Sequence, residues 1–316
     1  MDEGLEVLIA AVTPETERVR RFELRPISGS SLPPFTAGSH IDLYLGPNLT
    51  RSYSLLNSQD ERGRYVIGVA LEPESRGGSR FLFDGVRSGD TLRASKPRNL
   101  FALDERAPYS ILIGGGIGIT PLISMSKRLA SIDRPWQLHF CCRSREVAPF
   151  LGEIGPYEDH VELRFDDEQS SFLDVAALIE GAPTDAHFYC CGPKSMLMAF
   201  EAAVETTGLS KERVHVEYFK PMEDFGDHQG TIVELARSKR TIVVPSGSTI
   251  LDALRSAGVT AQSSCEAGIC GECQITVLDG VPDHRDSVLS DSERASNKMM
   301  MICCSSAKSE RLVLDL

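Results

Sequence analysis

The chain has 316 residues, of which 41% are hydrophobic and 25% charged, and this composition is typical of a globular protein with two or three domains. Its formal net charge is −12, which argues against binding to nucleic acid or to anionic membranes. The N-terminus lacks the features of a signal peptide and no run of 18 apolar residues occurs, so we expect a cytoplasmic protein that does not span a membrane.

Residues 1–103 contain short strand-like runs between turn residues, which predicts a small antiparallel β-barrel. The predicted strands are Leu5–Ala11, Val19–Leu24, His40–Leu45 and Tyr65–Ala70. Over residues 104–225 strands alternate with helices, which predicts an α/β domain with a parallel sheet. Its predicted strands are Ile111–Ile113, Trp136–Cys141 and Phe188–Cys191, with helices near Pro121–Ala130 and Lys194–Glu205.

The third predicted domain spans residues 226–316 and is a small α+β unit. The polar, glycine-bearing segment Lys220–Gly230 is interpreted as the linker that leads into it. The predicted elements are a hairpin of two strands, a short helix and two further strands: Thr231–Ala236, Arg240–Val244, Thr249–Ala257, Gln274–Leu278 and Leu312–Leu316.

Three of the nine cysteines have an informative spacing. Cys265, Cys270 and Cys273 form a C-x4-C-x2-C pattern, which is the spacing of plant-type [2Fe–2S] clusters. The fourth thiolate would come from Cys303 or Cys304. A zinc knuckle or a group of buried reduced thiols is the alternative, but zinc ribbons usually carry two C-x2-C pairs and this cluster contains one. Glycines 268 and 271 suit a loop that curls around a cluster, because glycine tolerates positive φ and close backbone approach.

Two glycine-bearing segments predict a nucleotide site. Residues 111–121 form a strand, a glycine loop and a helix start, an arrangement that brings main-chain N–H groups to a pyrophosphate. Position 119 is Ile119, so the loop does not match G-x-G-x-x-G, and alone it is a weak signal whose alternative is a tight strand–helix turn. The segment Tyr189–Met196 ends another strand at a helix start and favours the nucleotide interpretation.

A flavin is required on chemical grounds, because a hydride carries two electrons and an iron–sulfur cluster accepts one. The barrel region offers a candidate site in the run Arg51-Ser52-Tyr53-Ser54 and in residues 76–80, where N–H groups and a hydroxyl can hold a phosphate. The alternative for the first run is an ordinary strand with a surface arginine.

Together, these motifs resemble the ferredoxin–NADP reductase superfamily. Their order is similar to that of the phthalate dioxygenase reductase family, including the reductases of vanillate demethylase and carnitine monooxygenase. The resemblance includes the segments 282–286 and 311–316. It implies an FMN barrel, a nicotinamide domain and a plant-type ferredoxin domain of β-grasp fold. The implied enzyme is an oxidoreductase that passes a hydride from NADH to FMN, and then single electrons through a [2Fe–2S] cluster to a Rieske-type oxygenase. NADPH stays open as the alternative, because Arg143 follows the strand that ends at Cys142 and would suit a 2′-phosphate. We expect a monomer, which suits an electron carrier that docks on a partner.

The resemblance also implies which residues hold the cofactors, and none is expected to be catalytic beyond positioning them. The iron ligands would be Cys265 and Cys270 on one iron and Cys273 and Cys303 on the other. In the family 29 residues separate the third and fourth cysteines, and the same number separates 273 from 303. The FMN residues would be Arg51, Ser52, Tyr53, Ser54, Gly77, Gly78, Ser79 and, over the second face of the ring, Phe219. The NAD residues would be Gly114, Gly115, Gly116, Gly118, Thr120, Cys191, Gly192 and Pro193.

Two other functions stay open. A stand-alone electron-transfer subunit of the dihydroorotate dehydrogenase type also combines a flavin and a [2Fe–2S] cluster, although its cysteines are more closely spaced than 273 and 303. A redox sensor would need no nicotinamide turnover, so an assay of NADH oxidation with a dye acceptor separates it from a reductase.

Overall fold

A computed structural model describes residues 4–28, 31–46, 49–73, 77–169, 171–219 and 230–316. The chain divides into two compact units, residues 1–219 and 220–316. The predicted boundary near 103 falls inside the first unit, so the three-domain division stays a prediction. The boundary at 225 and nearly all of the predicted linker lie outside the described residues. Within the described ranges each helix is too short or too polar to cross a bilayer.

A six-stranded antiparallel sheet forms the first part of the first unit, in the order β4-β3-β6-β1-β2-β5. Alternate residues of each strand point into an apolar core, for example Val7 and Ile9 in β1 and Phe22 and Leu24 in β2. The four predicted strands are confirmed. The strands are β1 (Leu5–Thr16), β2 (Val19–Pro26), β3 (His40–Gly46), β4 (Leu49–Ser54), β5 (Tyr65–Ala70) and β6 (Thr91–Ala94), with helix α1 (Gly78–Gly85) between β5 and β6.

A five-stranded parallel sheet follows, in the order β11-β10-β7-β8-β9, and confirms the predicted α/β pattern. From β7 the chain adds β8 and β9 on one side of the sheet, whereas from β10 it adds β11 on the other side. The topological switch point therefore lies between β7 and β10. Ligands of open α/β sheets bind at the carboxyl ends of the strands at such a point. The strands are β7 (Tyr109–Gly115), β8 (Trp136–Cys142), β9 (Val161–Phe165), β10 (Ala186–Cys191) and β11 (Val214–Glu217). The helices are α2 (Ile119–Ser131), α3 (Leu151–Ile154), α4 (Val175–Gly181) and α5 (Lys194–Thr207), with 3-10 turns at Gly116–Gly118, Gly155–His160 and Lys211–Arg213.

Side chains of the α/β part pack directly on the antiparallel sheet. The ring of Phe150 occupies the space above Gly68 of β5, where a Cβ atom would lie 2.7 Å from it. Arg21 of β2 binds Glu15 at 2.7 Å and Glu153 of α3 at 2.5 Å, and Glu153 also binds Lys127 of α2 at 2.6 Å. These contacts hold the two sheets of this unit together.

The second unit contains a mixed five-stranded sheet in the order β13-β12-β18-β14-β16 and a two-stranded ladder of β15 and β17. The parallel pairing of β12 with β18 places the C-terminal strand beside the first hairpin. The predicted hairpin and helix are confirmed. The elements are β12 (Thr231–Leu235), β13 (Arg240–Val244), α6 (Ile250–Ser256), β14 (Gln274–Asp279), β15 (Pro282–Asp283), α7 (Asp291–Ser296), β16 (Met299–Met301), β17 (Ser306–Ala307) and β18 (Arg311–Leu314).

Candidate functional site

The two predicted nicotinamide segments lie side by side at the switch point. Strands β7 and β10 are parallel neighbours with Gly114 opposite Cys191, so the turns that follow them leave the same edge of the sheet. A Cβ atom on Gly118 would lie 2.3 Å from the carbonyl oxygen of Cys191, and one on Gly115 would lie 2.5 Å from Cδ of Pro193. The turns therefore pack backbone against backbone, and side chains larger than glycine are excluded at these two positions.

The outer side of this edge is open. Gly116 has φ +54° and its Cβ position meets no atom within 4 Å. The 13-residue helix α2 begins at Ile119, so its N-terminal N–H groups lie at the same edge and favour an anionic ligand. Thr120 is buried, and its hydroxyl donates to the carbonyl oxygen of Ile117 at 3.0 Å. The hydroxyl thus closes the turn.

The predicted flavin-phosphate residues also come together. Gly77 (φ +95°) is the N-cap of helix α1, and Gly78 begins the helix. A Cβ atom on Gly78 would lie 2.5 Å from Cγ of Arg51, so the arginine of β4 packs against the first turn of α1. Ser79 is in that turn and its hydroxyl accepts from the backbone N–H of Glu72 at 3.2 Å. A cation beside a helix N-terminus is a fitting arrangement for a phosphate group.

Ser52 and Ser54 are two residues apart on β4 and therefore lie on the same face of the strand, but their hydroxyls bind different acceptors. Ser52 donates to Oδ1 of Asp42 at 2.6 Å, inside the antiparallel sheet. Ser54 is buried and donates to Oε2 of Glu217 at 3.5 Å. Burial raises the pKa of Tyr53, which therefore keeps its phenolic proton. Ser54 thus faces the α/β part of the unit, whereas Ser52 is engaged within the sheet.

Glu217 is a site residue to which sequence reasoning assigned no role. It is the last residue of β11 and lies opposite Cys191 in the parallel register. The Cys191 thiol donates to its Oε2 at 4.0 Å. Burial raises the pKa of Glu217 to about 8, and the hydrogen bond from Ser54 offsets only part of this effect. The available signal was an acidic residue at the carboxyl end of a strand in a parallel sheet.

Phe219 lies two residues beyond β11 and is 38% exposed. The predicted role of this ring, covering one face of a flavin, stays a prediction.

The four predicted iron ligands form two pairs of thiols. Strands β14 and β16 are antiparallel with Gln274 opposite Met301, and the backbone N–H of Ile302 donates to the carbonyl oxygen of Cys273 at 3.3 Å. This register brings the Cys303 thiol into a hydrogen bond with that of Cys273. Within the loop, the Cys270 thiol binds Cys265 and lowers the pKa of Cys265 to about 7. Two pairs of sulfur ligands suit a cluster of two irons.

The loop between the cysteines directs backbone N–H groups at sulfur. The N–H of Ala267 lies 3.4 Å from Sγ of Cys265, and the N–H of Gly268 binds Cys303. Such donors stabilise the thiolate form that iron requires. Gly268 and Gly271 have φ values of +71° and +79°, which confirms the reason for glycine at both positions.

Cys304 packs beneath this loop. A Cβ atom on Gly268 would lie 2.4 Å from its Sγ, which also approaches the carbonyl oxygen of Met301 at 3.7 Å. The thiol of Cys303, by contrast, is hydrogen-bonded to the thiol of Cys273. In the described part of the chain no three His, Cys, Asp or Glu side chains are grouped as ligands of a single metal ion.

Known proteins are similar to this chain in sequence and in fold. Residues 233–308 match the family model described as "2Fe-2S iron-sulfur cluster binding domain". The chain is 53% identical to phenoxybenzoate dioxygenase subunit beta of Ectopseudomonas oleovorans, covering 98% of this chain and 96% of the relative. A solved structure of phthalate dioxygenase reductase is 36% identical, covers 99% of this chain and 98% of its own, and superposes with a TM-score of 0.83.

The chain belongs to the phthalate dioxygenase reductase family. Another relative, tetrachlorobenzoquinone reductase of Sphingobium chlorophenolicum, is 43% identical over 99% of this chain and 98% of its own. Family membership confirms the predicted fold class and the prediction of an oxidoreductase. The match of residues 233–308 confirms the predicted [2Fe–2S] cofactor. The individual site residues stay predictions.

Proposed function

We propose that this chain is the NADH-dependent reductase component of a Rieske-type oxygenase system. FMN would accept two electrons from NADH as a hydride and pass them on one at a time, through the [2Fe–2S] cluster, to the oxygenase. The observation that carries the proposal is the presence, on one polypeptide, of two nucleotide-type sites in one unit and two pairs of cysteine thiols in the other. Relatives named as subunits of dioxygenases and of a monooxygenase support an oxygenase as the partner. We expect the protein to act as a cytoplasmic monomer.

The nucleotide edge would bind NADH through its backbone. Gly116 leaves open space, and the N-terminus of α2 offers N–H groups to the pyrophosphate. Cys191, Gly192 and Pro193 would form the neighbouring wall of the nicotinamide pocket. Because Gly118 and Cys191 are in backbone contact, the wall and the loop are held at a fixed separation.

The FMN site would be built from the antiparallel sheet. Arg51 and the first turn of α1 would hold the phosphate, while Tyr53 and Phe219 would cover the two faces of the ring. Ser54 would offer its hydroxyl near the reacting edge. Because the pKa of Glu217 is about 8, this carboxyl keeps its proton at neutral pH and adds no negative charge beside Ser54.

The cluster site would be closed by Cys265 and Cys270 on one iron and by Cys273 and Cys303 on the other. The first two are partly exposed and the last two are buried. Backbone N–H groups of the loop would hydrogen-bond the sulfurs of Cys265 and Cys303 and favour their thiolate forms.

Replacement of Cys270 by serine tests the proposal. We expect Cys270→Ser to retain rapid anaerobic reduction of its flavin by NADH, followed by stopped-flow absorbance, and to lose electron transfer to a Rieske protein. Cys304→Ser, whose thiol is adjacent but outside the proposed ligand set, is the matched control and should retain both steps. Equal loss of flavin reduction in Cys270→Ser would contradict a modular reductase.

A second candidate, direct reduction of a small quinone, is favoured by the relative named tetrachlorobenzoquinone reductase. The two candidates are compared by measuring NADH oxidation with a quinone and electron transfer to a Rieske protein in Cys270→Ser and in Cys304→Ser. Faster NADH oxidation with the quinone than electron transfer to any Rieske protein would favour the second function. Absence of NADH oxidation with quinone or dye acceptors would instead point to the redox-sensor alternative.

A further inference from the structure

A buried ion pair lies directly beside the first cysteine of the cluster loop. Glu266 follows Cys265, is only 5% exposed, and its Oε1 lies 2.8 Å from a terminal guanidinium nitrogen (Nη2) of Arg255. Arg255 is near the C-terminal end of α6 and is 17% exposed. Neither residue belongs to the ligand set, and the sequence spacing assigns neither a role.

The same guanidinium holds the chain on both sides of Cys265. Besides this ion pair, Nη2 of Arg255 donates a hydrogen bond to the hydroxyl of Ser263 at 2.7 Å. Residues 263 and 266 are thereby tied to one point on α6, and Cys265 lies between them. Glu266 has φ +53°, the left-handed region that a residue with a side chain rarely adopts. The ion pair therefore holds the strained residue next to the ligand in place.

The pair also matters for charge. A carboxylate one residue from an iron ligand disfavours any further negative charge on the cluster, and burial strengthens the interaction because water screens it less. One-electron reduction adds one negative charge to the cluster without making or breaking a covalent bond. The net charge near a cluster is one of the determinants of its reduction potential. Arg255 places a compensating positive charge on the same carboxylate.

We infer that Arg255 and Glu266 form a positioning pair that sets the reduction potential of the [2Fe–2S] cluster. Arg255 fixes the loop around Cys265, and its charge cancels that of Glu266 so that the cluster can accept an electron. The inference rests on the four-cysteine site described above. It predicts that replacing Arg255 and replacing Glu266 shift the reduction potential in opposite directions. A purely structural pair would give shifts in the same direction.

The test is a redox titration of the cluster, in the full-length protein loaded with flavin and cluster, followed by electron paramagnetic resonance. The variants are Arg255→Gln, Glu266→Gln and the double variant Arg255→Gln/Glu266→Gln. We expect Arg255→Gln to lower the equilibrium constant for one-electron reduction about tenfold, a shift of about 59 mV to lower potential. Glu266→Gln should raise the potential, and the double variant should return close to wild type.

Arg237→Gln is the matched control. Arg237 is 72% exposed and pairs through two bonds with Asp315 in the same unit, away from the cysteine loop, so its loss should leave the potential unchanged. If Arg255→Gln fails to retain the cluster, the sign of the shift in Glu266→Gln and the recovery of the cluster in the double variant still decide the question.

Shifts of the same sign in both single variants, or no shift in any variant, would overturn the inference. A wild-type protein that holds no [2Fe–2S] cluster would overturn the proposed function itself. The two failures are therefore distinguishable from the wild-type spectrum alone.

Discussion

The two units build their sites in different ways. In the first, residues distant in sequence meet because parallel strands end at one edge, and the contact between Gly118 and Cys191 is made by the backbone. In the second, three of the four thiols lie within nine residues of a loop without helix or strand, and side chains such as Arg255 hold that loop. The first site should therefore be sensitive to added side-chain volume, and the second to loss of individual side chains.

The largest expected effect is in the second unit. Cys303→Ser should abolish the [2Fe–2S] cluster, because it removes one of the four thiolates that hold such a cluster. Iron content and the visible circular dichroism of the purified variant measure this directly. Cys304→Ser should keep the full iron content, and loss of iron in this variant instead would reassign the fourth ligand.

A single added methyl group tests the first unit. Gly118→Ala places a Cβ atom 2.3 Å from the carbonyl oxygen of Cys191, and overpacking of this kind costs about 1–3 kcal/mol. We expect weaker NADH binding and a lower unfolding midpoint, measured by titration and by calorimetry. Gly152→Ala, in α3, meets no atom within 4 Å, so it should leave NADH binding unchanged and should not lower the midpoint. Equal effects in both variants would argue against backbone contact between the two turns.

Removal of a charge at the flavin-phosphate site should have a smaller effect. Arg51→Gln removes a charged hydrogen-bond donor worth about 1.5–3 kcal/mol, so the dissociation constant of FMN should rise roughly tenfold to a hundredfold. Fluorescence titration of the flavin-free protein measures it. Arg25→Gln, on strand β2 of the same sheet, removes an exposed arginine that pairs with Glu23 and is the control. An unchanged FMN affinity in Arg51→Gln would show that Arg51 does not bind the flavin phosphate.

A pH dependence of stability is expected from one buried carboxyl. Burial raises the pKa of Glu217 from about 4.5 to about 8, so the folded state holds a proton that the unfolded state has lost between these values. Stability contributed by this group therefore falls as pH rises through that window, by at most about 1.4 kcal/mol per pH unit. In the protein without flavin, Glu217→Gln should gain stability relative to wild type as pH rises from 5 to 8. Denaturant unfolding at several pH values measures the difference, and a constant difference would contradict the raised pKa.

Much of the second site was predictable because its information is local. The C-x4-C-x2-C spacing and the two loop glycines can be read without knowing the strand order, and the glycines do adopt positive φ. The ion pair between Arg255 and Glu266 was not predictable, since nothing in the sequence shows that the end of α6 faces the loop.

The first site was predictable in outline only. Its glycine turns were identified, but Glu217 received no role because its position opposite Cys191 depends on which strands are neighbours. Residues 76–80 were interpreted as a phosphate loop, and helix α1 was missed because its two flanking glycines suggested a turn. Alternation along β4 places Ser52 and Ser54 on the same face, so it did not predict that Ser52 binds Asp42 whereas Ser54 binds Glu217 of β11.

The most direct test of the central claim is an anaerobic absorbance titration of the purified protein with NADH, with acid release of the flavin from a parallel sample. The account predicts release of FMN, bleaching of the flavin and loss of the broad iron–sulfur absorbance as NADH is added. A flavin that bleaches without any iron–sulfur signal would contradict the account and leave the chain a simple flavin reductase.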